Sequence, residues 1–206
     1  MGQKETGQKI GVFGGTFNPI HNAHLRIAEA AREQFGLTEV LFLPSGVSYM
    51  KDAREIAGRK DRLRMTQLAV EGHASFSVSA LEVEKEGPSY TFETLKDLQE
   101  QYPDSRLYFI IGADQLFGIE HWRNPAGIFA RAALLVADRG GYARDQMEAK
   151  AEELRERFKA EIHAYHLEPS ALSSTEIRRR IRSGETTEGM IPPAVAAYIR
   201  EKDLYR

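Results

Sequence analysis

Short apolar runs that end at turn residues recur along the chain, with longer amphipathic stretches between them. Runs of four to eight apolar residues, bounded by turn residues, are typical of buried strands, and strict alternation of apolar and polar residues is typical of half-buried ones. We therefore predict six strands, at residues 10–13, 40–44, 76–83, 106–112, 132–137 and 161–167.

The stretches between these runs carry helical periodicity and helix stop signals such as Gly36 and Pro103. They predict helices at residues 22–35, 59–71, 90–101, 145–158 and 173–183, and a last helix after Ile191-Pro192-Pro193. Strands that alternate with helices indicate a parallel sheet covered on both faces. We predict a Rossmann-like α/β fold with a small helical C-terminal segment. A flexible tail at residues 1–8 would precede a single domain at residues 9–206.

Composition narrows the class of protein. The 206 residues are 42% hydrophobic and 28% charged, as in globular proteins, and the formal net charge of −2 argues against a nucleic-acid partner. There are no cysteines, which fits a cytoplasmic protein, and no run is long enough for a membrane span. The opening MGQKET matches a myristoylation pattern, but we interpret it as a polar tail, with no membrane partner. A homo-oligomer is left open.

The first strand leads into the densest group of candidate residues. Gly14 and Gly15 follow the apolar run, and His21 and His24 stand three residues apart where a helix begins. Residues at that spacing share a helix face, and the amides of a helix N-terminus attract anions. Both imidazoles could therefore face one phosphate group. The glycine spacing matches neither a dinucleotide fingerprint nor a P-loop.

The stretch GGTFNPIHNAH resembles the GGTFDPIHxGH signature of the HxGH nucleotidylyltransferases. Asn18 stands where that family usually has Asp, and Ala23 where it has Gly. The resemblance implies that His24 stabilises the α-phosphate of ATP. It also implies that His21 and the amides near Thr16 and Phe17 hold the bridging phosphates.

A second motif, LSSTEIR at residues 172–178, is predicted to begin a helix with Ser or Thr caps. It resembles the family's ISSTxxR motif, which holds the β- and γ-phosphates. For the arginines that follow, Arg179, Arg180 and Arg182, we expect an ordinary solvated helix face.

The segments EGPSYTFET and IIGAD, with Trp122 after them, resemble the bacterial nicotinate-nucleotide adenylyltransferases. That resemblance covers nearly the whole chain and implies that the S-Y-T turn and the tryptophan form the nicotinate pocket. It implies four catalytic residues, His21, His24, Lys51 and Arg178. It implies ATP contacts at Gly14, Gly15, Thr16, Phe17, His21, His24, Gly112, Asp114, Ser173, Ser174, Thr175 and Arg178, and mononucleotide contacts at Thr16, Asn18, Lys51, Ser89, Tyr90, Thr91, Gly118 and Trp122.

The implied reaction joins ATP and nicotinate mononucleotide to give deamido-NAD and pyrophosphate. Mg²⁺ would be carried by ATP, and we expect no dedicated metal site in the protein. His163 and His166 fall on opposite faces of a predicted strand and cannot easily share a metal. Three alternatives stay open: another acceptor (nicotinamide mononucleotide or phosphopantetheine), a nucleotide sensor without catalysis, and a disfavoured nucleic-acid-binding module.

Overall fold

The computed structural model describes residues 7–46, 56–168 and 170–206. Its strands are β1 (Lys9–Gly15), β2 (Glu39–Pro44), β3 (Phe76–Val78), β4 (Arg106–Gly112), β5 (Ala132–Asp138) and β6 (Ile162–His166). They form one sheet in the order β3-β2-β1-β4-β5-β6, and every neighbouring pair is parallel. The predicted parallel α/β sheet is confirmed.

The described helices are α1 (Asn22–Phe35), α2 (Arg59–Val70), α3 (Leu81–Glu84), α4 (Thr91–Gln101), α5 (Ala113–Leu116), α6 (Pro125–Phe129), α7 (Arg144–Phe158), α8 (Ser174–Arg182) and α9 (Pro193–Glu201). A 3₁₀ turn spans Ile119–His121. The sequence did not predict α3, α5, α6 or this turn, because elements of one turn are too short for helical periodicity to appear. Within the described ranges, no helix combines the length and the apolar character needed to cross a bilayer.

Successive apolar side chains of each strand point to opposite faces of the sheet. In β1, Phe13 joins one buried cluster and Val12 joins the other. Helices α1, α2, α8 and α9 contribute buried residues to the first cluster, and α4 to α7 contribute to the second. Both faces of the sheet are therefore covered, which explains why its central strands are apolar throughout.

The prediction of one strand at residues 76–83 was wrong in its second half. Strand β3 ends at Val78, and residues 81–84 form helix α3. The Ser79 amide still bonds to Phe42 of β2, and the Ser79 hydroxyl accepts from the Leu81 amide and starts the turn. The alternation of apolar and polar residues in the sequence ran past the end of β3 because α3 also buries Val83 and exposes Glu84.

Strand β1 lies where the order of the sheet reverses. The chain runs from β1 outward through β2 and β3, and then returns to place β4 on the other side of β1. In sheets of this kind, ligands bind beyond the carboxyl ends of the strands at such a reversal. The described residues that directly follow Gly15, Pro44 and Gly112 lie at that edge.

Candidate active site

The two histidines of the first motif are stacked on each other at the start of α1. Their ring centroids are 3.7 Å apart with planes 22° from parallel. His21 is the N-cap residue of α1, and its backbone N–H donates to Nδ1 of His24 over 3.2 Å. In the neutral ring of His24, the proton therefore sits on Nε2. The helix start thus offers an imidazole N–H beside its backbone amides.

His21 is only 2% exposed, and Nδ1 has no hydrogen-bond partner among the described residues. The pKa of His21 is lowered from 6.5 to about 4, chiefly by burial and also by the charges of Arg139 and Arg26. The ring is therefore neutral at physiological pH. The two arginines give this end of the sheet a positive field, although the chain as a whole is slightly acidic.

Helix α8 is fastened to the loop between β1 and α1. The Ser174 hydroxyl donates to the carbonyl of Pro19 over 2.9 Å, and Nη1 of the buried Arg178 donates to the carbonyl of Asn18 over 3.0 Å. Ser173 is the N-cap residue of α8, and its hydroxyl accepts from the Glu176 amide. The two predicted phosphate motifs are therefore adjacent. Contact of Ser173, Ser174, Thr175 and Arg178 with phosphate stays a prediction.

Arg62 braces two loops, the β1–α1 loop and both ends of the β2–α2 loop, and was missed in the sequence. Its side chain is 2% exposed, and its guanidinium donates to the carbonyls of Thr16 (2.8 Å), Gly46 (2.8 Å) and Ala57 (3.2 Å). Burial lowers the pKa of Arg62, but an arginine starts so far above neutrality that it stays charged. A signal existed, because Arg62 shares the helical i, i+3, i+4, i+7 stripe of the buried residues Met65, Thr66 and Ala69.

Asn18 is also a buried connector. It is 1% exposed, and its Oδ1 accepts from the amide of Ala57 at 2.9 Å and from the hydroxyl of Tyr205 at 2.8 Å. Its carbonyl is the one held by Arg178. The described contacts of Asn18 are thus with the protein, and its predicted contact with the mononucleotide stays a prediction.

The carboxyl end of β4 carries Gly112 and Asp114. The side chain of Asp114 is exposed and lies 3.9 Å from the guanidinium of Arg139, which follows β5. The Gly112 amide donates to the side chain of Gln115. An exposed carboxylate at a strand end can accept hydrogen bonds from ribose hydroxyls, as the sequence predicted for Asp114. Arg139 was missed, although its position after a strand end was visible.

The predicted nicotinate pocket lies around the start of α4, where Tyr90 is the N-cap residue and Thr91 the first helical residue. The guanidinium carbon of Arg123 lies 4.3 Å from the ring centroid of Tyr90, so a cation is held against the helix N-cap. Ser89 lies close to the end of β2, since a Cβ atom at Gly46 would come within 3.5 Å of its hydroxyl.

Trp122 is half-buried and contacts Phe109 of β4 edge-to-face, with ring centroids 6.2 Å apart. It directly follows the 3₁₀ turn whose N-cap is Gly118. One edge of the indole is therefore fixed by the core while part of its surface stays accessible. Lys51 lies outside the described residues. In the described part of the chain, no three His, Asp or Glu side chains converge on a metal position.

Comparison with known proteins places this site in a family. The family description "Cytidylyltransferase-like" matches residues 12–180. A "Probable nicotinate-nucleotide adenylyltransferase" of Lachnoclostridium phytofermentans is 40% identical over 198 residues, covering 96% of this chain and 99% of the relative. One of Salinibacter ruber is 41% identical over 197 residues, covering 96% and 97%. The chain belongs to the nicotinate-nucleotide adenylyltransferase family.

Solved structures agree on the fold of this adenylyltransferase. The Plasmodium falciparum nicotinic acid mononucleotide adenylyltransferase, complexed with NaAD, superposes with a TM-score of 0.78 at 18% identity. The same enzyme complexed with APC gives a TM-score of 0.76. Each comparison covers 96% of this chain and 97% of the other. The resemblance stated from the sequence motifs is confirmed.

We expect Arg62→Met to lower the free energy of unfolding by about 2–4 kcal/mol, because three buried carbonyls lose their donors. Arg59→Met is the matched control: Arg59 is an exposed arginine of the same helix, with one bond to the Lys85 carbonyl at 3.2 Å. It should change stability by no more than about 0.5 kcal/mol. Urea denaturation measures both variants, and equal effects would contradict the bracing role of Arg62.

Acid should destabilise this adenylyltransferase through His21. Its pKa of about 4 in the folded chain is below the usual 6.5, so the unfolded chain takes up that proton first. The contribution of His21 is fully present above pH 6.5 and is lost as the pH falls toward 4, by up to roughly 3 kcal/mol. Urea titrations across this pH range should give a smaller pH dependence for His21→Gln than for the parent. Identical slopes would refute the shift.

Proposed function

We infer that this chain transfers the adenylyl group of ATP to nicotinate mononucleotide, with release of pyrophosphate and formation of deamido-NAD in NAD biosynthesis. One observation carries this conclusion most directly: the stacked histidine pair at the helix N-terminus, with the tautomer of His24 set by the His21 amide. That geometry provides an imidazole N–H and backbone amides where a phosphate would lie against the start of α1.

In the reaction, an oxygen of the mononucleotide phosphate forms a bond to the α-phosphorus of ATP. The bond between that phosphorus and the bridging oxygen breaks, and the electron pair leaves with pyrophosphate. The attacking phosphate is already anionic, so no protein nucleophile is required. The contribution of the protein is therefore to position the two substrates and stabilise the developing charge. Imidazole N–H donors do so without a proton leaving the protein.

The charges around the site suit a triphosphate. Arg26 and Arg139 both act electrostatically on His21, and their positive charge would favour the binding of phosphates at this site. We propose that Mg²⁺ arrives bound to ATP and neutralises phosphate oxygens through contacts with those oxygens and water. The donor set found here, imidazoles, amides and guanidinium groups, suits an anionic ligand that brings its own cation.

The choice of acceptor follows from the start of α4. Helix N-terminal amides near Thr91 and the cation of Arg123 favour the carboxylate of nicotinate over a neutral amide. The nearest acidic side chain of that turn is Glu93, whose carboxylate lies 3.8 Å from the ammonium of Lys85. Residues 89–92 include no acidic side chain that could accept a hydrogen bond from the NH₂ of nicotinamide, so that NH₂ would face other hydrogen-bond donors. Trp122 can stack on either ring and should contribute affinity without selectivity.

The purified chain, supplied with ATP, Mg²⁺ and one acceptor at a time, should release pyrophosphate with nicotinate mononucleotide. We expect kcat/KM for this acceptor to exceed that for nicotinamide mononucleotide by at least roughly 10²-fold, because unpaired donors discriminate strongly. Trp122→Ala should lower kcat/KM for both mononucleotides by similar factors. Preference for the amide or for phosphopantetheine would overturn the acceptor assignment, and nucleotide binding without any turnover would identify a sensor.

His24→Ala should lower kcat by roughly 10²-fold, the scale for loss of one transition-state donor. His24→Gln is the sharper variant, because Gln at this capping-box position can still reach the His21 amide while it removes the imidazole. Both should be impaired to a similar extent. The control is His73→Ala, an exposed histidine beyond α2. A kcat within about threefold of the parent for both His24 variants would remove His24 from the chemistry.

A cytoplasmic location fits the reaction proposed here, whose substrates are ordinary small nucleotides. The metal supplied with ATP and the contacts of Lys51 stay predictions, and assembly into a homo-oligomer stays open.

A further inference from the structure

We propose that Tyr205, the penultimate residue, is a positioning residue for catalysis, because its phenol anchors the loop that carries Phe17 against His24. This inference rests on the proposed adenylyl transfer. It concerns a residue outside both phosphate motifs of the sequence.

The chain turns back sharply after α9 to deliver this phenol. Asp203 and Tyr205 both adopt positive φ, at 53° and 68°, which non-glycine residues rarely do. The Leu204 amide bonds to the carbonyl of Ile199 over 3.0 Å and closes the turn. Two left-handed residues within three positions are unfavourable locally, so tertiary contacts must hold this ending in place.

The contact that holds it is with the loop between β1 and α1. The hydroxyl of Tyr205 donates to Oδ1 of Asn18 over 2.8 Å, and the amide of Ala57 donates to the same oxygen over 2.9 Å. Asn18 is 1% exposed, so water cannot readily replace a lost donor. Burial raises the pKa of Tyr205, so the phenol keeps its proton and acts as a donor.

The anchored loop in turn contacts the catalytic histidine, His24, through Phe17. Phe17 directly precedes Asn18, has a positive φ of 46° and is 2% exposed. Its ring meets the ring of His24 edge-on, at a centroid distance of 5.1 Å and an interplanar angle of 88°. A strained residue can relax when its neighbour is released. Loss of the Tyr205 bond should therefore shift Phe17, and the imidazole of His24 with it.

The chain contains a matched control for this idea. Tyr198 of α9 donates its hydroxyl to Oδ1 of Asp61 over 2.9 Å, and so ties the same C-terminal segment to α2. Tyr205→Phe and Tyr198→Phe each delete one phenol oxygen and one hydrogen bond to a partner oxygen. Only the first of these bonds reaches the loop that contacts His24.

We expect Tyr205→Phe to lower kcat at least fivefold, on the order expected from a small misplacement of a catalytic group, with the KM for ATP changed less than about twofold. Tyr198→Phe should leave kcat within about twofold of the parent. Tyr205→Phe placed on Asn18→Ala should add little further loss, because the phenol acts through Asn18. Equal kcat values for the two tyrosine variants, or additive losses in the double variant, would overturn the proposal.

A second readout separates this proposal from the proposed function. The ¹⁵N resonances of the His24 imidazole should shift in Tyr205→Phe and not in Tyr198→Phe, measured without substrates. If the parent released no pyrophosphate, the proposed function would fail while these spectra still decided the positioning. Unchanged His24 resonances in Tyr205→Phe would refute it even in an active enzyme.

Discussion

The site depends on the burial of the Arg62 guanidinium against three backbone carbonyls. Those carbonyls belong to residues 16, 46 and 57, which are far apart in the chain. A buried cation is tolerated only where hydrogen bonds replace its lost hydration. The arginine can be satisfied only when all three carbonyls adopt their observed positions. It therefore couples the end of β1, the end of β2 and the start of α2 into one arrangement.

A similar arrangement fixes the other side of the loop between β1 and α1. The side chains of Arg178 and Ser174 in α8 donate hydrogen bonds to the carbonyls of Asn18 and Pro19, respectively. The side-chain oxygen of Asn18 in turn accepts hydrogen bonds from the Ala57 amide and the Tyr205 hydroxyl. The carbonyls of this loop are thus turned toward protein donors. A loop built this way suits an anionic ligand, because carbonyl oxygens pointed at a phosphate would repel it.

The local electrostatics differ from the charge of the whole molecule. The formal net charge is −2, yet His21 lies in the positive field of Arg26 and Arg139, and Arg123 is stacked on the N-cap of α4. Positive charge is concentrated at the carboxyl edge of the sheet, where a triphosphate and a mononucleotide would meet. The neutral state of His21 follows from its burial in that field, and a neutral imidazole can still donate a hydrogen bond to phosphate.

The sequence by itself determined the parallel α/β architecture, the pair of histidines at the start of α1, the capped start of α8 and, through motif resemblance, the family. These features are local, since each depends on periodicity or on residues within one or two turns of each other. The tertiary structure alone decided the contacts of Arg62, Asn18, Arg139 and Tyr205. Asn18 and Tyr205 are 187 positions apart, and a hydrogen bond over that separation leaves no local pattern. It exists only because the sheet order brings β1 to the centre and α9 back over α2, where buried polar groups must find each other as partners.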